Sequence, residues 1–423
     1  MNRRRLLYEY STYFRGRAPL AFAAVSLCIR ESTESRERGT LGCVTRIADG
    51  EAWRSLSIRS EECSEQLKTV EAWQTRPPTL PLKLSVTLKN DKASVDTVAL
   101  LEEFSVRLER CGVHVVFFVK LNEINTLDPF GTLLSRAEEV ALNGCRTLTS
   151  LDGLDGRRCL KRVDCNGCDR TDFSAIRTCA LLEAATFSSW PDLTSLDALQ
   201  GLQHLKSVTV IDCPITGLEA LRTYPTLERV VCRPPHTVSL QPLEGLKCLK
   251  DVGFSADNVD DIDALHTCTA LEVVDISGAV DLSSLERLLL RLRELMIESC
   301  GITSLDALHT CEALVELRVI CCSSLTPVEH FKAPPSLKDI AISDCPISLR
   351  TMDVTPCPLL LSLDGLGGLP NLEEVRANGG GITDVAAISQ CPALRYVDVR
   401  DCPQLQSVDV LLKRGDVKVD YNL

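Results

Sequence analysis

The 423-residue chain is poor in aromatic side chains and has no long apolar run. Phe, Trp and Tyr make up only 4% of it, and no stretch reaches eighteen consecutive apolar residues, so no membrane span is predicted. The formal net charge is −12, which does not suit general nucleic-acid binding, because that needs a basic face and stacking rings. Cysteine is plentiful at 21 residues, but the odd number excludes complete intramolecular disulfide pairing.

The positive charge is concentrated near the beginning of the chain. Residues 1–60 contain 11 Arg against 6 Asp and Glu, a balance of five positive charges. We therefore treat residues 1–40 as a basic tail or targeting segment. A disordered uncleaved tail, a mitochondrial transit peptide and a secretory signal built on residues 18–29 are alternatives. Residues 41–112 are predicted to form a mixed helical and capping region, with a helix over 63–77, a strand over 82–88 and a helix over 95–108.

From residue 113 to residue 423 the chain repeats one pattern. Each unit reads L-x-x-L-x-L-x-x-C-x-x-L-x-x-L-x-x-L, with a usual step of 22 or 23 residues, and positions are numbered here from its first leucine. Such self-similarity is the signature of a solenoid. The predicted unit starts are Val113, Ala137, Leu160, Leu182, Leu205, Leu227, Leu249, Leu271, Leu292, Leu314, Leu337, Leu349, Leu372 and Leu394.

The two periods within a unit predict its local structure. Apolar residues at positions four and six alternate, which is strand spacing, whereas the later spacing of three suits a 3-10 or short helical return. Ser195 and Asp197 illustrate residues that can cap such a return. Because one unit cannot bury its leucines alone, neighbouring units must stack. The prediction is a right-handed α/β solenoid with a concave parallel β-sheet and short convex returns, preceded by a small N-terminal cap.

One step in the array is irregular. Only 12 residues separate Leu337 from Leu349. Either the unit at 337 lacks its convex return, or the array is broken near residues 345–360. We favour the first alternative, because Leu360, Leu363 and Leu366 fit the next unit.

The repeat resembles the leucine-rich repeat. Its 22-residue step and L-D-A-L segments are similar to the short class of phosphatase regulatory subunits and bacterial internalins. Cysteine at position nine, often followed by proline, resembles the leucine-rich repeat proteins of kinetoplastid protozoa. In this family position nine is commonly Asn, whose amide bonds neighbouring backbone. Eight units have cysteine there instead: Cys145, Cys168, Cys213, Cys300, Cys322, Cys345, Cys357 and Cys402.

No catalytic, metal or cofactor site is predicted. Cys165 and Cys168 form a C-x-x-C pair, but they occupy core positions six and nine, and no second such pair follows at zinc-site spacing. His266 and His309 share one repeat position and belong to the repeat itself. No G-x-S-x-G, P-loop or H-E-x-x-H motif occurs. We expect the cysteines to be thiols and the protein to be intracellular and cytoplasmic, with mitochondria as the alternative.

The concave face is the predicted binding surface, at positions two, three, five, seven and eight. Its residues vary while the leucines stay constant, and arginine and tyrosine favour interface hot spots. The candidate protein-binding residues are Arg162, Asp164, Arg229, Asp275, Glu294, Arg318, Asp339, Arg376, Tyr396 and Asp398.

The expected function is a non-catalytic scaffold that binds partner proteins on the concave face. The resemblance also implies an alternative, a regulatory subunit of a phosphatase, an adenylate cyclase or a ubiquitin-ligase component. A mitochondrial assembly factor is a further alternative and depends on the basic N-terminal segment. No cofactor, nucleic acid or membrane partner is expected.

Overall fold

The structure of the protein is a computed structural model, and the residues it describes are 43–48, 51–59, 82–89, 92–110, 115–169, 171–235, 238–255, 261–278, 291–302, 305, 308, 311–322, 325, 330–343, 349–355 and 357–422. The expectations for residues 1–40 and for a helix over 63–77 lie outside these residues. The chain divides into two compact units, Met1–Asn143 and Gly144–Leu423. Each unit is described separately.

The first unit contains a five-stranded sheet and one long helix. The strand order is β1-β2-β3-β4-β5; β1 and β2 form an antiparallel hairpin, and the remaining pairs are parallel. The strand predicted over 82–88 and the helix predicted over 95–108 are confirmed, whereas the hairpin was not predicted. The elements are β1 Cys43–Ala48, β2 Glu51–Arg59, β3 Leu82–Lys89, α1 Lys92–Arg110, β4 Val115–Asn122, a 3-10 turn Asp128–Phe130, α2 Gly131–Leu134 and β5 Ala137–Asn143.

The predicted start of the first repeat at Val113 is wrong. Val119 pairs with Val140, and both are buried, so they occupy position four of their units. The first unit therefore starts at Val116. The error arises because β4 is apolar on both faces of its pleat, so alternation alone does not define the register.

The second unit contains two parallel sheets. In the larger sheet nine strands follow one another with residue-to-residue register between equivalent repeat positions. They are β6 Arg162–Asn166, β7 Ala184–Ser188, β8 Ser207–Ile211, β9 Arg229–Arg233, β10 Asp251–Ser255, β11 Val273–Ser277, β12 Glu294–Glu298, β13 Glu316–Ile320 and β15 Asp339–Ser343. The smaller sheet contains β14 His330–Lys332, β16 Thr351–Asp353, β17 Glu374–Arg376, β18 Tyr396–Asp398 and β19 Lys418–Asp420.

The array is broken between these two sheets. Strand β16 pairs with β14, which precedes β15 in the chain, and not with β15 itself. The outer edge of β15 is instead covered by the turn at Gly365, which bridges to Ala341, and the Ile342 N–H donates to the Gly365 carbonyl at 3.0 Å. Our favoured alternative, a continuous array that merely lacks one return, is therefore wrong, and the sheet interruption is what the structure contains.

The core of the second unit follows the predicted pattern. Residues at positions one, four and six are buried, as Leu292, Leu295 and Ile297 illustrate in one coil. The returns are short, and serine caps several of them: the Asp197 N–H donates to Ser195 Oγ at 3.1 Å. The returns are 3-10 turns at Asp152–Leu154, Ser174–Thr178, Asp197–Leu199, Glu219–Leu221, Gln241–Leu243, Ile262–Thr267 and Ile388–Gln390, and helix α3 at Asp409–Leu412. The predicted α/β solenoid of strands and short returns is confirmed.

In several coils a thiol contacts the backbone of the coil before it. Cys300 Sγ lies 3.6 Å from the Ile276 carbonyl, and Cys402 Sγ lies 3.1 Å from the Ala377 carbonyl; both acceptors occupy position six of the preceding unit. The cysteines of position twenty do the same on the return side, as Cys268 Sγ does to the Leu243 carbonyl at 3.3 Å. The thiol therefore bonds neighbouring backbone, the role that the family resemblance gives to Asn.

Candidate protein-interaction surface

The outward face of the larger sheet is formed by positions three, five and seven of nine adjacent strands. At position four and position six the side chains are buried, whereas those between them are mostly half-buried or exposed. With about 4.8 Å between neighbouring strands, the face is about 38 Å long. It presents three rows of side chains that the hydrophobic core does not constrain.

Position eight does not belong to this face, contrary to the prediction. The residue there has a left-handed backbone in coil after coil, and its N–H donates to the position-seven carbonyl of the next unit, as Ser299 does to Ile320 at 2.8 Å. It therefore ends the strand rather than presenting a side chain on the sheet. Position-eight residues with positive φ are Glu123, Gly144, Gly167, Ser189, Asp212, Gly278, Ser299, Cys321, Gly379 and Asp401.

Position two forms a separate row of alternating charge beside the face. Lys206 Nζ lies 3.0 Å from Glu183 Oε2, and Lys250 Nζ lies 2.8 Å from Glu228 Oε2. These exposed pairs contribute little to stability. They neutralise each other within the row, so they add no net charge to the face.

The ten predicted binding residues are divided between the two sheets. Seven lie on the larger sheet: Arg162, Asp164, Arg229, Asp275, Glu294, Arg318 and Asp339. Three lie on the smaller sheet: Arg376, Tyr396 and Asp398. Asp398 is only 5% exposed, so the expectation that it faces a partner is wrong.

Ion pairs connect β9 to the two strands that follow it. Arg229 pairs with Asp251 on β10, and Arg233 Nη2 lies 2.5 Å from Asp275 Oδ2 on β11. The second pair reaches across β10, which has Gly253 at position five. Burial raises the pKa of Asp251 even though Arg229 opposes the shift, and Asp275 adds to it. Arg233, Asp251 and Gly253 were not among the predicted residues.

The part of the face around β12 is acidic. Burial raises the pKa of Glu294, and the nearby carboxylates of Glu316 and Asp251 raise it further. On the next strand Arg318 is already engaged, with its Nε 2.6 Å from Glu316 Oε1 and its Nη2 3.4 Å from Asp339 Oδ2. This part of the face therefore has acidic side chains in excess of its one arginine.

The smaller sheet has its own polar cluster. Arg400 holds Asp398 in a bidentate pair, with Nε 2.9 Å from Oδ1 and Nη2 2.8 Å from Oδ2, and this keeps the pKa of Asp398 below its usual value. The Tyr396 hydroxyl donates to Asp420 Oδ2 at 2.8 Å, a bond that raises the tyrosine pKa. Lys418 Nζ lies 5.1 Å from the centre of the Tyr396 ring.

The cysteines form a structural set. Sixteen cysteines between Cys145 and Cys402 carry thiols rather than disulfides. Burial raises the pKa of Cys232 to about 12 and that of Cys357 to about 12, so these thiols are poor nucleophiles near neutral pH. Within the described residues no group of three or more His, Cys, Asp or Glu side chains is arranged to hold a metal ion, and no helix is long and apolar enough to cross a bilayer.

Comparisons with known proteins find similar chains among solved structures. No protein-family model and no curated protein matches the chain. Among solved structures it is similar to an internalin (inlF) from Listeria monocytogenes, at 14% identity and a TM-score of 0.45, over 84% of this chain and 93% of that one. It is also similar to the LRR protein LIC12759 of Leptospira interrogans, at 12% identity and a TM-score of 0.44, over 81% and 90%. TLR13, in a complex with ssRNA13, matches at 14% identity and a TM-score of 0.43, over 86% and 61%.

At these identities the similarity concerns the fold alone, and the resemblance to kinetoplastid proteins stays a prediction. The register of the strands, the buried leucines and the short returns carry the structural conclusion independently. The architecture of this chain is a leucine-rich repeat solenoid.

Proposed function

We propose that the protein is a non-catalytic scaffold that binds a partner protein on the outward face of its larger sheet. The observation that supports this is the arrangement of charged side chains on that face. Arg229, Arg233 and Arg318 are held by ion pairs with residues of neighbouring strands, so their positions are set before any partner arrives. Such preorganisation lowers the entropic cost of binding.

The size of the face suits a protein partner. Strands of five residues are about 16 Å long, so nine of them present a plane on the order of 600 Å². This is the same order as the ~800 Å² that each partner contributes to a standard protein interface. The acidic excess around β12 disfavours nucleic acid, because phosphates bind basic faces.

We also propose that the protein works in a reducing, intracellular compartment. Cys300 and Cys322 use their thiols as donors to backbone carbonyls of the coil before them, at 3.6 and 4.0 Å. In an oxidising compartment these thiols could form disulfides and would then no longer donate hydrogen bonds.

The test compares partners captured by three forms of the full chain. Met296→Arg places a long cationic side chain at position five of β12, within the face. Glu244→Arg changes an exposed residue of a return and is the matched control. We expect partners of the unchanged protein to be retained by Glu244→Arg and reduced at least about tenfold by Met296→Arg, because a misplaced interface side chain costs more than about 1.4 kcal/mol. Equal capture by all three forms would contradict the proposal.

A further inference from the structure

The last strand of the smaller sheet has one unused edge. Within the described residues, β19 pairs with β18 alone. The Lys418 N–H donates to the Arg395 carbonyl at 2.8 Å, and the Asp420 carbonyl accepts from the Val399 N–H at 2.9 Å. Because backbone groups of a strand alternate in direction, Val419 directs its N–H and its carbonyl away from β18.

Apolar side chains are exposed at this same end. Nine large hydrophobic side chains are exposed among the described residues, and three of them fall within residues 410–421. They are Val410 at 44%, Leu412 at 43% and Tyr421 at 44%. Val419 is half-buried at position four, whereas its neighbour Val397 in the preceding coil is fully buried. Among the described residues, the hydrophobic core is therefore less covered at β19 than at β18.

The charges on β19 determine which kind of strand can pair with its free edge. A short edge strand with a lysine discourages pairing with arbitrary strands. Lys418 and Asp420, however, flank Val419 symmetrically, and both lie on the outward face. An antiparallel strand of the same sequence, centred on Val419, sets each Lys418 opposite the Asp420 of the other copy. Opposite charges in directly facing positions stabilise strand pairs, and like charges destabilise them.

We propose that β19 pairs with β19 of a second copy of this chain, so that two arrays join end to end. In this register Val419 faces Val419 of the other copy, and the two residues exchange both backbone hydrogen bonds. Directly facing residues project to the same side of a sheet, so the two-fold axis is perpendicular to it. The inward Val419 side chains then meet in one shared core, and the interface is isologous.

Sedimentation of the full chain from about 1 to 100 µM tests the pairing, because a dimer of moderate affinity forms within that range. We expect a concentration-dependent dimer. Lys418→Asp and Asp420→Lys should each weaken it by about tenfold or more, since each variant creates two like-charge oppositions per dimer. Mixing the two variants should restore association, because every Asp then faces a Lys.

Two controls separate this interface from other causes. Lys247→Asp changes the net charge as much as Lys418→Asp does, but it lies in a distant return and should leave the dimer unchanged. Thermal unfolding of each variant shows whether the substitution has damaged the end of the array. Restored dimerisation in the mixture of the two variants shows that only the pairing was lost. The proposal would be overturned if the protein stays monomeric over this concentration range, or if neither charge reversal weakens the dimer. Neither result bears on partner binding by the larger sheet.

Discussion

The register of β12 gives the most direct test of which side chains face a partner. Leu295 is 1% exposed and occupies position four, with coils packed on both sides. Leu295→Ala removes three buried carbon atoms and leaves a cavity, which costs about 3 kcal/mol of unfolding free energy, within the range known for buried leucines. Met296, the next residue, projects to the opposite face and is half-buried. Met296→Ala should cost less than about 1 kcal/mol.

Urea unfolding followed by far-ultraviolet circular dichroism measures both free energies. Because stability in a repeat array is carried by each coil and its nearest neighbours, hydrogen exchange should locate the Leu295→Ala damage in β11, β12 and β13. A one-residue shift of the strand exchanges the two faces completely. Equal losses for the two substitutions, or a larger loss for Met296→Ala, would refute the assigned register and with it the proposed binding face.

Three further predictions concern charge, packing and thiols. Glu294→Gln should stabilise the array near neutral pH, since the folded protein penalises the ionised carboxyl and therefore raises its pKa. The gain should shrink on acidification, as protonation of Glu294 in the folded state removes the same penalty; a gain that is constant with pH would contradict this. Gly365→Ala should cost more than about 2 kcal/mol, because the added Cβ would clash with the Ile340 carbonyl oxygen, whereas Gly301→Ala, whose Cβ meets nothing within 4 Å, should be nearly neutral by calorimetry. A thiol reagent should label Cys159, Cys248 and Cys321 quickly in the native protein and the buried cysteines only after unfolding; extensive disulfide in denaturant would argue against the intracellular assignment.

The buried residues of each coil could be predicted from the sequence, because the repeated leucine positions are the positions that face the core. Leu292, Leu295 and Ile297 are inward as expected. The prediction failed in strands whose sequence does not distinguish the buried face from the exposed face. In β4 apolar residues occupy both faces, and β14 has no leucine to mark it, so the sequence did not define the first register and did not favour the sheet break over its alternative.

The surface was harder to predict because its contacts link residues one or two units apart. Arg229 and Asp251 share position three in adjacent units, so a search for complementary charges at equal positions would have found this pair. Arg233 and Asp275 differ in repeat position and lie two strands apart, so a comparison of equal positions does not reveal this pair. Asp398 looked exposed by position, but Arg400 covers it.

The order of strands at the sheet break limits how this array can be cut or extended. In most solenoids whole repeats can be trimmed or grafted, because each one touches only its neighbours in the chain. Here β14 is synthesised before β15 yet belongs to the following sheet. Truncation after Ser343 would leave β14 without its partner strand β16. It would also remove the Gly365 turn that covers β15. The described residues of 330–366 therefore have to be kept together. Repeats can be removed or added only before or after this segment.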